Sequence, residues 1–457
     1  MPDETDRYDA PMPRCELVVL VPHPDRPALL TQADDPTRLP ATALDGEFRL
    51  PAALDAIRDL LGTLPPVLRV GYARTDADGE ASLVIVDLET VGSGAPPGLS
   101  WTDRDALPLG SIEPVELRAI LPRWIDRRAN GPTPSDPPWA RPGWFARASA
   151  WTTERLAAAG MPAVGAPELV YSWGISMVLR TSTADGDVYL KATPPVFPNE
   201  AALTACLAAA TPKAVTRLIV VEPGEGWLLM RDHGPKVVGD EPPEAWGPGL
   251  AAYAGLQRTW CARTETLVRA GAETRTLEAL ARVVPTLAGR EPLATEFSDG
   301  ERAEWESSGP AFVAACTRLA EIGPAPTLSH GDLHPWNVAV TPDGPLIFDW
   351  SDAAVAHPFL DLAVYVTRTK DIARRRALRD AYLVAWQDVL TPVELAEAGE
   401  LALIVGALYQ VESYRRILVA IDPDDRGGME GATRSWALAA IATLRDGIEH
   451  VRTGHAD

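Results

Sequence analysis

His330-Gly331-Asp332-Leu333-His334-Pro335-Trp336-Asn337 is followed shortly by Leu346-Ile347-Phe348-Asp349-Trp350. The first string places an Asp and an Asn five positions apart, with a His two residues ahead of the Asp. A second Asp closes the apolar run Leu346-Ile347-Phe348. This spacing belongs to loops that carry phosphoryl transfer, which asks a protein mainly for positioning and charge neutralisation. One carboxylate must accept the proton of an attacking hydroxyl, and Asp332 is placed for that. An amide oxygen five residues later can turn back to a magnesium ion, which suits Asn337, and a hard cation also wants the anionic oxygen of Asp349. Val338-Ala339-Val340 and Pro345-Leu346-Ile347-Phe348 flank Thr341-Pro342-Asp343-Gly344, so the interval reads as a hairpin around an Asp-Gly turn. Such a hairpin brings Asn337 and Asp349 together at its open end. Any one of these residues alone could do no more than cap a turn; the whole string, with a matching partner upstream, points to chemistry.

The upstream partner is Lys191, at the end of the strand-like Val188-Tyr189-Leu190-Lys191. A lysine in an otherwise buried strand is costly unless paired, and Glu200, opening the next helical stretch, can pair with it. Ahead of it lies Tyr171-Ser172-Trp173-Gly174-Ile175-Ser176-Met177, with Gly174 as its one glycine. A G-x-G-x-x-G loop is absent, yet backbone N–H groups and Ser176 can cover a phosphate.

At 457 residues the chain has room for two or three domains and a substantial core. Hydrophobic residues make up 46% and mean hydropathy is -0.05, the balance of a soluble globular protein. No apolar run is long enough to span a bilayer. The acidic start Met1-Pro2-Asp3-Glu4-Thr5-Asp6 lacks the basic-then-apolar order of a signal peptide, so a cytoplasmic location with no membrane partner is expected. The four cysteines, Cys15, Cys206, Cys261 and Cys316, are widely spread without a C-x-x-C pair, which argues against a zinc site and a disulfide framework. A net charge of -21 disfavours a nucleic-acid partner and is compatible with a cationic small substrate.

Pro and Gly density from Arg128 to Gly143 breaks the chain. The expected organisation is an N-terminal α+β domain over 1–128, a Pro-rich linker over 129–143, a β-rich segment over 144–236 and a mostly helical segment over 237–457. In the first domain, strands are expected over Glu16–Val21, Leu68–Ala73 and Leu83–Leu88, the last two separated by a turn at Asp76–Gly79. Helices are expected over Pro51–Leu61 and Glu113–Arg127, the latter with Leu117, Ile120, Leu121 and Trp124 on one face. This pattern faintly resembles the Nudix fold. The Nudix box is absent, because the corresponding helix carries only Asp55, Arg58 and Asp59, so a structural or capping role is expected instead. The next segment reads as helix 144–159, three strands, helix 199–210, then strands over 217–222 and 226–231.

Together these residues resemble the aminoglycoside phosphotransferase and choline kinase-like family. His330 to Asn337 is similar to its H-G-D-x-H-x-x-N loop. Phe348-Asp349-Trp350, His357-Pro358 and Asp361-Leu362-Ala363 are similar to its I-D-W…G-x-P…D-L-A segment, with Ala356 where the family usually has Gly. The resemblance covers roughly Trp144 to the C-terminus. It implies a two-lobed protein kinase-like fold, α+β in class, with a β-rich N-lobe, a mostly helical C-lobe, and bound ATP and Mg2+. It assigns Asp332 as base, Asn337 and Asp349 as metal ligands, Lys191 to the ATP phosphates with Glu200 orienting it, and His330 and Asp361 to the scaffold. The segment around Met230 becomes the hinge against which an adenine lies.

The acceptor is expected to be a hydroxylated small molecule (an aminoglycoside, aminosugar or sugar) held by C-lobe residues among which Asp352, Glu412 and Tyr414 stand out. A competing reading is a catalytically silent nucleotide-binding protein. It predicts loss of at least one of Lys191, Asp332, Asn337 and Asp349, and none is lost.

Overall fold

Two alternating apolar faces build the first domain. In β1 (Arg14–Leu20) and β5 (Ala81–Leu88), Leu17, Val19, Val84 and Val86 join one core, while Val18, Leu20, Leu83 and Ile85 join the other. Strands buried on both faces read as continuous apolar runs, as these do. The computed structural model describes residues 14–447 except 47, 76–80 and 132; the expected turn at Asp76–Gly79 and the acidic N-terminus lie outside the described residues. β2 (Ala28–Gln32) and β6 (Leu99–Asp103) form a separate ladder. The main sheet runs in the order β3-β1-β5-β4, with β3 over Ala41–Asp45 and β4 over Val67–Thr75. β1 and β5 are parallel and the outer pairs antiparallel. Helix α1 (Leu50–Leu61) covers one face through Ala53, Leu54 and Ile57; α2 (Leu117–Asn130) covers the other through Leu117, Leu121 and Trp124. β2, β3 and β6 escaped the sequence reading because each is only five residues long, and β3 and β6 are largely half-buried or exposed.

The segment expected as a linker is ordered by its own residues. Trp139 is buried, and the Asp136 carboxylate accepts from Thr133 N–H at 2.5 Å and from the Arg69 guanidinium of β4 at 2.5 Å. Helix α3 (Trp144–Ala158) follows and packs Trp144, Ala148 and Leu156 under an antiparallel sheet of order β10-β11-β9-β8-β7. Its strands are β7 (Glu168–Trp173), β8 (Ser176–Thr183), β9 (Gly186–Ala192), β10 (Leu218–Glu222) and β11 (Trp227–Arg231). Helix α4 (Glu200–Ala210) sits between β9 and β10. This is the N-lobe, and its elements fall within one or two residues of those expected.

The C-lobe is mostly helical: α5 (Gly247–Trp260), α6 (Thr264–Arg269), α7 (Leu277–Val283), α8 (Leu293–Glu296), α9 (Asp299–Ile322), α10 (Asp361–Val366), α11 (Ile372–Leu383), α12 (Pro392–Ala420) and α13 (Ala432–Asp446). The long helices start on side-chain caps: Ser298 with Glu301 and Thr391 with Glu394 form capping boxes for α9 and α12. Three short strands, β12 (Glu273–Thr274), β13 (Thr327–Ser329) and β16 (Ala354–Ala356), form one small sheet, and the hairpin of β14 (Val338–Thr341) and β15 (Gly344–Ile347) meets the N-lobe where Ile347 N–H donates to Ala214 O at 2.8 Å. The two-lobed kinase-like architecture is therefore in place, with the first domain added to it.

That domain touches both lobes. Its Arg69 reaches Asp425 of the C-lobe at 3.0 Å, Arg127 pairs with Asp422 and with Asp424 at 3.2 Å, Arg123 pairs with Asp424, and Trp124 donates its indole N–H to Asp424 at 2.9 Å. On the N-lobe side, Leu169 of β7 packs into the core that α1 covers.

Candidate active site

Period-two alternation in β9 turns Val188, Leu190 and Ala192 into the N-lobe core and leaves Tyr189 and Lys191 on the opposite face. Lys191 is thereby buried yet aimed at the interlobe cleft, 7% exposed. Its ammonium lies 2.7 Å from Glu200 Oε1 at the start of α4 and 2.7 Å from Asp349 Oδ1 of the C-lobe. Burial pulls the Lys191 pKa down, but the Asp349 and Glu200 carboxylates outweigh it and hold it above the ordinary lysine value. Burial works against the Asp349 charge too; Lys191, and the Ser351 hydroxyl at 2.8 Å, prevail and hold this carboxyl well below the usual range. Glu200 moves the other way, raised by burial against the pull of Lys191. Asp349 also has φ 66, the one non-glycine residue with positive φ among the described residues. A non-glycine residue held there marks a place where the surroundings impose the conformation.

Hairpin register brings the remaining groups to Asp349. Val338 pairs with Ile347, and Phe348 N–H donates to Asn337 O at 3.1 Å, so Asn337 and Asp349 meet at the open end as the spacing implied. Asn337 Nδ2 donates to Asp332 O at 3.0 Å, which fixes the orientation of the amide. Asp332 keeps its side chain about a third exposed towards the cleft, with His334 Nε2 at 3.8 Å from Oδ2. Burial lowers the His334 pKa in spite of that carboxylate.

The loop is held from below by Asp361. This buried carboxylate accepts from Tyr253 OH, from Ser329 Oγ at 3.0 Å, from His330 N–H at 3.1 Å and from Gly331 N–H at 2.8 Å. His330 Nδ1 accepts from Asp332 N–H at 3.4 Å, so Nε2 carries the proton and donates to Phe348 O at 2.9 Å. One imidazole thus ties the backbone of the Asp332 loop to the residue before Asp349. Gln257 extends the support, donating to Leu328 O and Pro358 O at 2.9 Å each and accepting from Tyr382 OH at 2.5 Å. Gln410 of α12 donates to Gly331 O at 2.5 Å. Tyr253, Gln257, Tyr382 and Gln410 had no signal in the sequence beyond lying on helices; only the fold gathers them.

Of the other expected residues, Ser176 is buried and its hydroxyl accepts from Trp173 Nε1 at 2.8 Å, which braces the β7–β8 loop. Trp173 and Ile175 of that loop pack against Ile417, Leu418, Ile421 and Met429 of the C-lobe. Met230 is half-buried on β11 opposite Tyr189, beside the crossing between lobes. Asp352 lies against the loop, where a Cβ on Gly331 would run into its carbonyl and come within 2.7 Å of its Cβ. Burial, then the charges of Asp332 and Asp349, push Asp352 up to about 8. Gln410, Ser413, Tyr414 and Ile417 share one face of α12 at helical spacing. Asp332 and Asp352 lie near enough to Tyr414 that, after burial, their charges raise its pKa further. Glu412 sits off that face in a two-bond pair with Arg415, at 2.7 and 2.8 Å, so the structure does not bring it to Asp332.

The donor set suits a nucleotide-borne magnesium ion. Among the described residues no group of three or more His, Cys, Asp or Glu is arranged around a metal. One carboxylate and one amide oxygen are what magnesium uses when phosphates and water complete its octahedron. All four cysteines are free thiols. No helix among the described residues is long and apolar enough to cross a membrane.

Residues 171–398 match the model of the phosphotransferase enzyme family. No curated protein matches the chain. Among solved structures it is similar to the apoenzyme of a macrolide 2'-phosphotransferase from Brachybacterium faecium, at 19% identity over 63% of this chain and 97% of that one, TM-score 0.44. It is similar to the GDP complex of a wild-type aminoglycoside 2'-phosphotransferase-IIIa, at 14% identity over 64% of this chain and 98% of that one, TM-score 0.47. A choline/ethanolamine kinase family protein from Mesorhizobium loti is similar at 17% identity over 64% and 92%, TM-score 0.41.

Proposed function

From the premise that residues 171–398 of this chain belong to the phosphotransferase enzyme family, we propose that it transfers the γ-phosphoryl group of ATP, with Mg2+, to a hydroxyl of a small molecule. The observation that carries the reading is the three-way contact of Lys191 with Glu200 and Asp349, each at 2.7 Å, across a cleft whose other wall presents Asp332 and Asn337. Bound magnesium would be held by Asp349 and Asn337 Oδ1 and would neutralise phosphate charge. Lys191 supplies a fixed cation to the phosphates, and Glu200 keeps its ammonium aimed at them. Asp332 orients the acceptor hydroxyl and takes its proton as the new O–P bond forms, while the bond from that phosphorus to the nucleotide's bridging oxygen breaks. Ser176 stiffens the covering loop, and the region of Met230 receives the base. A cytoplasmic setting, where ATP is plentiful, fits this chemistry.

The acceptor we infer is an aminoglycoside, aminosugar or sugar. Asp332, Asp349 and Asp352 concentrate carboxyl groups beside the attacking position, and Tyr414 offers an aromatic face and a hydroxyl there. ATP turnover across a panel of hydroxylated amines and sugars, wild type against Asp332→Ala, tests the reading. A turnover above that variant is expected for at least one amino-bearing sugar. If ATP binds and no acceptor is phosphorylated above the variant, the enzyme is a silent nucleotide binder instead.

A further inference from the structure

A cavity of about 450 Å³ lies outside the interlobe cleft, walled by the first domain's strands, by α2 and by the ordered segment that joins it to the N-lobe. We propose that this cavity is a binding site for a small organic anion with an apolar body, and that its occupancy is felt at the loop covering the phosphate cleft. The volume is that of small-molecule sites. Leu29, Leu68, Trp124 and Ile125 give it an apolar floor.

Arg26, Arg69, Arg104, Arg127 and Arg128 line it against the three carboxylates Asp87, Glu89 and Asp136, an excess of positive charge. Arg104 is exposed in its lining, and no carboxylate pairs with it among the described residues. Arg128 lines it too; that guanidinium spends one nitrogen on Asp87 and on Leu88 O at 2.7 Å, but its buried Nε–H has no partner. Burial, then the neighbouring Arg69 guanidinium, bring Arg128 down to about 10; Asp87 answers Arg128, and Asp136 and Asp425 answer Arg69, which leaves Arg104 as the cation open to an anion. In a chain of net charge -21, a cavity lined this way selects for negative ligands.

Two walls lead to the kinase lobes. Arg69 lines the cavity and grips Asp425 at 3.0 Å, and the Asp425 carbonyl is packed so closely on Gly174 that a Cβ there would overlap it. Glu89 lines the cavity and accepts the Gly143 N–H at 3.0 Å, where α3 begins. A ligand that shifts Arg69 or Glu89 therefore displaces the Gly174 loop or the helix under the N-lobe sheet; that the displacement alters ATP binding rests on the function proposed above.

Anilinonaphthalene sulfonate, an aromatic body with one anionic group, is a suitable probe for the full-length protein in the presence of saturating ATP and magnesium. One equivalent is expected to bind, with the uncharged N-phenylnaphthylamine weaker by about tenfold or more. Arg104→Glu, which reverses the free charge, and Ala129→Trp, which fills the cavity from an exposed helical position, are each expected to weaken the probe by about tenfold. Both variants should melt like wild type. No binding, equal affinity for the neutral probe, or binding untouched by both substitutions would overturn the site. The binding arm needs no turnover, so it stands or falls apart from the phosphotransferase reading. For the coupling, the ATP Kd by calorimetry should change about threefold or more on adding the sulfonate to wild type and stay constant in Ala129→Trp; an unchanged Kd in a probe-binding wild type overturns it.

Discussion

Asp332 and Asp349 carry different burdens, and charge-removing isosteres separate them. On the proposed mechanism, Asp332→Asn leaves the phosphate-binding groups intact and removes only the proton acceptor. Its kcat should fall by about 10²- to 10⁴-fold with little change in nucleotide affinity. Asp349→Asn removes what the proposed mechanism uses as the anionic metal ligand, and with it the charge of one of the two partners of Lys191 at 2.7 Å. Magnesium-dependent nucleotide binding should weaken far more in this variant than in Asp332→Asn. Calorimetric titration checks it: equal loss in the two would refute the division of roles. Asp361 touches no reacting atom, yet four donors depend on it. Asp361→Ala strands buried donors at about 1–3 kcal/mol each, so a loss of several kcal/mol in denaturant unfolding is expected, together with loss of activity.

At the scale of elements, the loop–hairpin–loop unit from His330 to Asp352 was legible because its constraints are local. A five-residue spacing, an Asp-Gly turn and an apolar run each have a direct geometric meaning, and the register Val338↔Ile347 follows from them. Lys191 was legible for another reason: an alternating strand gives a buried lysine nowhere to go except to a partner. The support beneath the loop was not legible. Tyr253 and Gln257 lie on α5, more than a hundred residues before Tyr382 of α11 and Gln410 of α12, and no local pattern ties them together. Glu412 shows the complementary failure, since composition placed an acid near the site but helical phase turned it to Arg415. Gly331 belongs to the same scale. With φ 86 and the Asp352 carbonyl against its α-carbon, it leaves no room for a side chain. Gly331→Ala is expected to cost about 2 kcal/mol or more and to reduce kcat, read by denaturation and by steady-state kinetics.

For the whole molecule, acid stability has an identifiable contributor. His357 is 3% exposed, donating from Nε2 to Gly323 O at 3.0 Å and accepting from Phe359 N–H at 3.3 Å. Burial pulls its pKa down from 6.5 to about 4. Since the folded value is the lower one, stability is full above pH 6.5 and is lost as pH falls from there towards 4, where the unfolded chain takes up a proton the fold refuses. The loss attributable to this residue is about 3 kcal/mol at most. His357→Gln keeps polar groups without titrating near neutrality, so its unfolding free energy should change less between pH 6.5 and 4.5 than that of wild type; identical slopes would exclude His357 as the source.

The contacts of Arg69, Arg123 and Arg127 with Asp422, Asp424 and Asp425 bear on how this chain can be divided. The Pro-rich stretch looks like a seam along which two modules were stitched, and a recombination experiment would cut there. The carboxylates of the C-lobe turn have their counter-ions on the far side of that seam. A kinase excised at residue 143 would inherit three crowded anions and an exposed underside of its Gly174 loop, whereas the first domain would keep three arginines with Asp136 as the one carboxylate left of those they share across the seam. The two parts are joined covalently at one place and electrostatically at another, so neither is a cassette that can be exchanged on its own.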